Sequence, residues 1–232
     1  ATPKMTERMQ TKLYFALLIL ATSLSAETLH VPDDYAFIQS AINAASNTDS
    51  ILVAPGLYEE SIDFNGKAIV VSSLYLIEND SLLIESTVID GQEDGSVVTF
   101  DSGESYESIL QGFTIQNGTG NNEDPDGNGT YYTYGGGIYC ENSDPMIKDC
   151  IIQNNVGDEG GGGGVFCYNA SPKFFACKFT ENETDDVGGG LYARNGSSPE
   201  FYDCSFMGNV AEFGAGCYLR NESTPAMYNV TF

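Results

Sequence analysis

The sequence predicts an all-β fold, a right-handed parallel β-helix solenoid with three short strands in each coil of about 26 to 27 residues. The first observation is an internal repeat, in which four glycine-led segments recur at offsets of 26 or 27 residues. The second is the alternation of apolar and polar residues in short runs, which is the period of a β-strand. The third is regular punctuation by Gly, Asn and Pro, which turns the chain after every few residues.

Each repeat has the same elements in the same order. A glycine-led strand is followed by an Asn and a Pro, and further strands follow the Pro. In a solenoid each strand pairs with its equivalent one coil away, about 4.8 Å along the axis, so that equivalent side chains stack in columns. Two stacked asparagine columns are predicted: Asn142, Asn169, Asn195 and Asn221 at one corner, and Asn155, Asn182 and Asn209 at a second.

The six cysteines favour buried thiols over disulfides. Cys150, Cys177 and Cys204 occupy one inward position, at which other coils carry Val230 and Phe113. These equivalents indicate that the position requires apolar bulk. Stacked Cβ atoms about 4.8 Å apart are also wide for a relaxed disulfide, which prefers about 3.8 Å. Cys140 with Cys167 is the pair for which a bridge stays open.

The N-terminal part of the chain differs from the repeats. Ile38, Ala41, Ile42 and Ala45 have the spacing of an amphipathic helix, which would cap the open strand edges of the first coil. We assign residues 27–108 to this cap and to irregular first coils, and residues 109–232 to regular repeats. The repeats stop inside a coil, so a chain truncated at its C-terminus is expected.

Residues 1–26 are predicted to be a secretory signal peptide, preceded by a short upstream extension. A basic start, the apolar run 13–20 and a small-residue end at Ala26 have this pattern, and the run is short for a membrane span. Secretion to the exterior or the outer cell surface is therefore expected, with no transmembrane segment after cleavage. Removing residues 1–26 takes away three basic residues and one acidic residue, which leaves 6 basic and 32 acidic. This charge disfavours nucleic acid as a partner.

Several segments resemble the N-terminal cap of the pectin-lyase-like right-handed β-helix superfamily, namely residues 31–42, 53–60 and 66–69. Residues 112–115 and the later Gly-Gly-Gly … Ser-x-Pro … Asn repeats are similar to its surface and secreted branch, including the repeats of polymorphic outer-membrane proteins. The resemblance covers residues 29–232. It implies the fold and no single activity, because the superfamily includes lyases, hydrolases, esterases and surface proteins that are not enzymes.

The outward face of the glycine-led strand is the candidate binding site. Strand alternation predicts an exposed aromatic column there, with Tyr168 on the same face. Aromatic rings beside charged groups suit carbohydrate, so an extracellular polysaccharide or surface glycan is the expected partner. Stacked rings also stabilise a solenoid without any ligand. The aromatic column consists of Tyr139, Phe166, Tyr192 and Tyr218.

Calcium is the one cofactor that the sequence suggests. Asp124, Asp126 and Asn128 stand at positions 1, 3 and 5 of a calcium-loop pattern with Gly129 at position 6. Position 12 is Gly135 in place of a bidentate Glu, which predicts weak binding.

The resemblance to polysaccharide lyases implies a second set of site residues. In that interpretation Asp185 and Asp186 hold calcium, and Arg194 or Arg220 acts as the base. Signatures of pectin esterases and polygalacturonases are absent from the chain, so an enzymatic role has no positive motif.

Three functions are open at this stage. The first is a secreted or cell-surface repeat protein, monomeric through this region, that presents a rigid face to carbohydrate or to a surface partner. The second is a calcium-dependent polysaccharide lyase or another pectin-active enzyme. The third is a passive structural spacer.

Overall fold

A computed structural model describes residues 25–232, so nearly all of the predicted signal peptide lies outside the described residues. The described helices are α1 (Ile38–Ala44), α2 (Tyr75–Glu78) and α3 (Leu82–Ser86). The described strands are β1 (Thr28–Val31), β2 (Ser50–Val53), β3 (Gly56–Glu59), β4 (Ile62–Asp63), β5 (Val70–Ser73), β6 (Thr87–Asp90), β7 (Val98–Phe100), β8 (Ile109–Gln111), β9 (Thr114–Gln116), β10 (Asn121–Glu123), β11 (Tyr132–Tyr134), β12 (Ile138–Glu141), β13 (Met146–Lys148), β14 (Ile151–Gln153), β15 (Val156–Gly157), β16 (Val165–Tyr168), β17 (Lys173–Phe175), β18 (Lys178–Thr180), β19 (Glu183–Thr184), β20 (Leu191–Arg194), β21 (Glu200–Tyr202), β22 (Ser205–Met207), β23 (Cys217–Leu219) and β24 (Ala226–Tyr228).

Three parallel sheets form the walls of a right-handed β-helix, as predicted. Wall 1 has eight strands in the order β1-β2-β5-β8-β13-β17-β21-β24. Wall 2 has six strands in the order β22-β18-β14-β9-β6-β3, and wall 3 has six in the order β23-β20-β16-β12-β7-β4. Each strand pairs with its equivalent in the neighbouring coil. Six coils contribute one strand to each wall, and β1 and β24 extend wall 1 at its two ends.

The core is a set of side-chain columns along the axis. Phe174 stacks on Phe201 with ring centroids 5.0 Å apart, and Phe179 stacks on Phe206 at 4.3 Å. Cys150, Cys177 and Cys204 are free and buried at the predicted inward position. Burial raises the pKa of the Cys150 thiol to about 12, which keeps it protonated as an inert core side chain.

Both asparagine columns are observed. Asn155, Asn182 and Asn209 lie inside a corner, where the Asn155 Nδ2 donates to the Asn182 Oδ1 and the Asn182 Nδ2 to the Asn209 Oδ1, each at 3.0 Å. The corner asparagines of the other column all have φ between 48° and 59°, the left-handed conformation that Asn tolerates.

Helix α1 covers the first coil as the capping helix. Ile38, Ala41 and Ile42 are fully buried on its inner face. The Glu60 carboxylate accepts the backbone N–H groups of Ile38 and Gln39 at 2.8 and 2.9 Å. The Lys67 ammonium donates to the carbonyls of residues 42, 43 and 45 at 2.6 to 2.9 Å. Opposite charges therefore satisfy the two ends of a helix only seven residues long.

Two insertions interrupt the coils and were not predicted from the sequence. Helices α2 and α3 occupy the connection between walls 1 and 2 of an early coil. Strands β10 and β11 form an antiparallel hairpin outside the walls. We call residues 121–134 the strap. Among residues 25–232, no helix has the length and apolar character needed to cross a bilayer.

Candidate functional site

The aromatic column has the predicted register. Tyr139, Phe166, Tyr192 and Tyr218 pair in succession across β12, β16, β20 and β23. Its predicted exposure is wrong, because Tyr139, Phe166 and Tyr192 are only 1%, 0% and 2% exposed. Tyr218 and Tyr168 are partly buried against the same cluster. The buried rings therefore cannot offer their faces to a sugar in this conformation.

The strap and the glycine-rich loops cover the aromatic column. Tyr134 at the base of the strap stacks on Phe166, with centroids 4.4 Å apart and planes at 26°. The run 160–164 crosses this layer closely, since a Cβ on Gly160 would lie 2.7 Å from the Tyr134 ring and one on Gly161 would lie 3.3 Å from the Tyr192 ring. Glycine is required here because the backbone lies directly on the rings.

Arg194 is the centre of a polar cluster next to the column. It follows Tyr168 in the outward register of wall 3, and its guanidinium lies 5.2 Å from the centroid of the Tyr168 ring. It forms an ion pair with Asp126 at the tip of the strap, and the Tyr168 hydroxyl donates to the Asp126 Oδ1 at 3.4 Å. The Arg194 side chain is 7% exposed, and its Nε has no hydrogen-bond partner.

The calcium-loop interpretation of residues 124–129 does not fit these contacts. The Asp124 carboxylate accepts the backbone N–H groups of Asn128 and Gly129 at 3.1 and 2.6 Å, which closes the turn. Asp126 is bound to Arg194. The loop carboxylates therefore already have partners in the protein. Within residues 25–232, no group of three or more His, Cys, Asp or Glu side chains could hold a metal ion, and this covers Asp185 and Asp186.

A catalytic base at Arg194 is also disfavoured. Burial alone would lower the pKa of its guanidinium, but the hydrogen bond and charge of Asp126 raise it above its usual range. A general base must release its proton near the working pH, so this environment opposes the role. Arg220 lies next to Arg194 along wall 3, at an exposed position.

A second aromatic column, on wall 1, does reach the surface. The Phe175 and Tyr202 rings stack with centroids 4.7 Å apart, and those of Tyr202 and Tyr228 with centroids 4.8 Å apart, the planes within 9° of parallel. Tyr228 is 54% exposed, and Phe175 and Tyr202 are partly exposed. We call these three residues the ring ladder. Because their faces cover one another, they offer ring edges and hydroxyl groups to solvent.

Charged groups line the ring ladder. Lys148 continues it on the coil before Phe175. Lys173 and Glu200 form an ion pair at 3.2 Å, and the Tyr202 hydroxyl donates to the Glu200 carboxylate at 2.5 Å. The Lys173 ammonium also lies 4.5 Å from the centroid of the Tyr106 ring. Lys148 and Lys173 are two of the four lysines among residues 25–232.

The ring ladder was missed at the sequence level, although its signal is present. Phe175, Tyr202 and Tyr228 recur at the repeat offsets of 27 and 26 residues and alternate with the inward residues of their strands. The pattern equals that of the column on wall 3. Only the coverage of the two columns differs, and on wall 3 it depends in part on the strap, an insertion that has no repeat.

Three parallel walls, stacked asparagine corners and a helical cap define this chain as a β-helical solenoid with a partly exposed aromatic column on wall 1. The chain belongs to the right-handed β-helix family: the family model described as "Right handed beta helix region" matches residues 61–232.

Comparison with solved structures finds pectin methylesterases at low identity. A pectin methylesterase in complex with a hexasaccharide is 13% identical, with a TM-score of 0.41 over 83% of this chain and 67% of that one. The pectin methylesterase from carrot is 13% identical, with a TM-score of 0.44 over 89% and 85%. No curated protein sequence matches the chain. No activity follows for this chain from similarities of this size.

Proposed function

We propose that this chain is a secreted or cell-surface β-helix protein that binds an extracellular carbohydrate along the ring ladder of wall 1. The observation that carries the proposal is the ladder itself: stacked, partly exposed rings at 4.7 and 4.8 Å, bordered by a lysine and by a Lys–Glu pair. The site differs from the one expected from the sequence, since the rings of wall 3 are buried.

The chemistry of the ladder suits a chain of sugars that lies parallel to the solenoid axis. Ring edges provide apolar contact area, and Tyr, Lys and Glu side chains provide donors and acceptors for hydroxyl groups. The parallel walls hold these groups at a fixed spacing, so little conformational entropy would be lost on binding. Lys148 adds a positive charge to this face, whereas the charge of Lys173 is balanced by Glu200.

The polysaccharide lyase alternative has less support. Arg194 is buried in an ion pair and its pKa is raised, both of which oppose action as a base. Arg220 has no carboxylate cluster beside it that could hold calcium within the described residues. The spacer alternative predicts no ligand at all, and the same experiment separates it from the proposal.

The test is a glycan array probed with the protein, a Tyr202→Ala variant and a matched control. Met207 is the control because it lies in the same coil on wall 2, is 54% exposed, and can also be changed to Ala. We expect Tyr202→Ala to weaken binding about tenfold, as for a central aromatic residue of an interface, and Met207→Ala to leave it unchanged. Thermal unfolding of both variants verifies that each is folded. Equal binding by Tyr202→Ala and the parent protein would remove the ladder as the site.

A further inference from the structure

The strap is attached to the solenoid firmly at its base. The Asn121 N–H donates to the Ser96 Oγ at 3.1 Å, and the Ser96 N–H donates to the Asn121 Oδ1 at 3.0 Å. At the other end of the hairpin Tyr134 is 4% exposed, and its ring stacks on Phe166. Both ends of the strap are therefore fixed by hydrogen bonds and by ring packing.

The tip of the strap, residues 124–131, is held differently. Its own bonds are internal, from the backbone of Asn128 and Gly129 to the Asp124 carboxylate. Of these eight residues, Asp126 alone has a hydrogen bond or an ion pair outside the hairpin, to Arg194 and Tyr168. Residues 126–131 are exposed, with Tyr131 at 61%, whereas Asp124 and Pro125 are partly buried.

The tip of the strap covers a buried positive charge, the guanidinium of Arg194. The Arg194 guanidinium is buried over the Tyr168 ring, and its Nε has no partner. A buried charge is costly without a counter-charge, and Asp126 supplies it from above. The Asp126 side chain is 42% exposed, so water and salt reach one half of the ion pair. An ion pair of this kind weakens as salt concentration rises.

We propose that the strap is a releasable cover, with the Asp126–Arg194 ion pair as the latch at its tip. Release leaves the base of the strap in place and lifts residues 124–131, which uncovers the Arg194 guanidinium and the Tyr168 ring on wall 3. In the closed state the Asp126 carboxylate occupies the position that a solvent anion would take on Arg194. The device is independent of carbohydrate binding on wall 1, because it uses a different wall and different residues.

Chemical labelling of arginine tests the latch directly. An arginine-selective dicarbonyl reagent followed by mass spectrometry gives the labelling rate of Arg194, and exposed Arg220 serves as the reference in the same chain. The variant is Asp126→Asn. The control is Glu123→Gln, which removes one carboxylate charge from the strap at a residue whose charged neighbours are Glu141 and Asp101, not Arg194.

We expect Asp126→Asn to raise the ratio of Arg194 to Arg220 labelling about fivefold, and Glu123→Gln to leave it unchanged. In the parent protein, sodium chloride at about 1 M, where the Debye length is about 3 Å, should raise the ratio as well, with no further rise in Asp126→Asn. Amide hydrogen exchange of residues 124–131 should be faster in Asp126→Asn, and in the parent protein at high salt, than in the parent protein at low salt. An Arg194 labelling rate that neither salt nor Asp126→Asn changes would overturn the proposal.

Discussion

Single residues in this solenoid act as members of columns, and the buried asparagines show what a column requires. The Asn182 Nδ2 donates to the Ile152 carbonyl at 2.9 Å and to the Asn209 Oδ1, while its own Oδ1 accepts from Asn155. The Asn182 amide thus forms hydrogen bonds with the coil before it and with the coil after it. A buried polar group stays favourable only while all of its hydrogen bonds are made, so the column links the stability of adjacent coils.

Replacing one buried amide should therefore destabilise the protein by more than the loss of that side chain's hydrogen bonds, because the neighbouring groups also lose partners. Asn182→Ala removes the acceptor of the Asn155 backbone N–H and of one Asn155 Nδ2 bond, together with the donor to the Ile152 carbonyl, all in a closed space. We expect a loss of about 3 kcal/mol or more in the free energy of unfolding. Gln153→Ala is the control, since it removes an amide from the outer face of wall 2 and should cost less than about 1 kcal/mol. Denaturant unfolding measures both. Similar losses would contradict the role of the column.

A pH-dependent contribution to stability is predicted at Asp49. Hydrogen bonds from the backbone N–H groups of Glu27 and Ser46, both at 2.8 Å, hold the pKa of its carboxyl below the usual value. A carboxyl with a lowered folded-state pKa stabilises the protein above its unfolded pKa of about 3.9, and this stability is lost as the pH falls through the folded pKa. Asp49→Asn should therefore destabilise the protein at neutral pH and progressively less toward about pH 2.

Chemical unfolding of Asp49→Asn and the parent protein over this pH range measures the difference. Exposed Asp33→Asn is the control and should show little difference at any pH. A difference in the free energy of unfolding between Asp49→Asn and the parent that stays constant with pH would contradict a lowered pKa at Asp49.

At the scale of elements, helix α1 shows how a very short helix is held by the coil that it covers. Isolated helices of seven residues are not stable in water, so burial of its inner face and the groups at its ends must supply the stability. Glu60 and Lys67 come from strand connections of the first coils, 22 and 25 residues from the backbone atoms that they bind. They fall within the segments that resemble the superfamily cap, and the contacts explain why those residue types stand there.

Lys67→Met should loosen this cap. The change keeps the apolar stem and removes an ammonium that donates to three carbonyls, so we expect a loss of about 2 kcal/mol and faster amide exchange confined to residues 38–45. Lys178→Met is the control, because that lysine is exposed on wall 2. Unchanged exchange in the helix of Lys67→Met would show that burial alone holds it.

The sequence predicts the elements that repeat and fails to predict the two insertions that occur once. The strands, corners and inward positions repeat, so the offset of 26 or 27 residues fixes which residues pair. The strap and helices α2 and α3 occur once, so the repeat pattern of the sequence does not predict them. The rings of Tyr139 and Tyr202 have the same pattern within their strands. The first is buried because the strap and glycine loops lie over wall 3. The second stays partly accessible because, among residues 25–232, no such segment covers the ring ladder on wall 1.

At the scale of the whole molecule, stability should be a sum over coils and the contacts between neighbouring coils. All three walls keep one register from coil to coil, and Val165 pairs with Leu191 26 residues later. Deleting residues 165–190 would join Gly164 to Leu191 and bring Leu191 next to Ile138, the residue that Val165 contacts in the parent. The inner asparagine column would also close, with Asn209 in the place of Asn182.

We therefore expect the 165–190 deletion to give a folded, shorter solenoid, which unfolds cooperatively and keeps the β-sheet circular dichroism of the parent. Deleting only residues 165–177 is the control. It would join Gly164 to Lys178 and place a wall 2 strand where wall 3 requires one, so that inward phenylalanines and outward charges no longer face the correct sides. This control should be unfolded or aggregated. Small-angle scattering and thermal unfolding separate the outcomes, and equal damage from both deletions would show that coils are not the independent units of this fold.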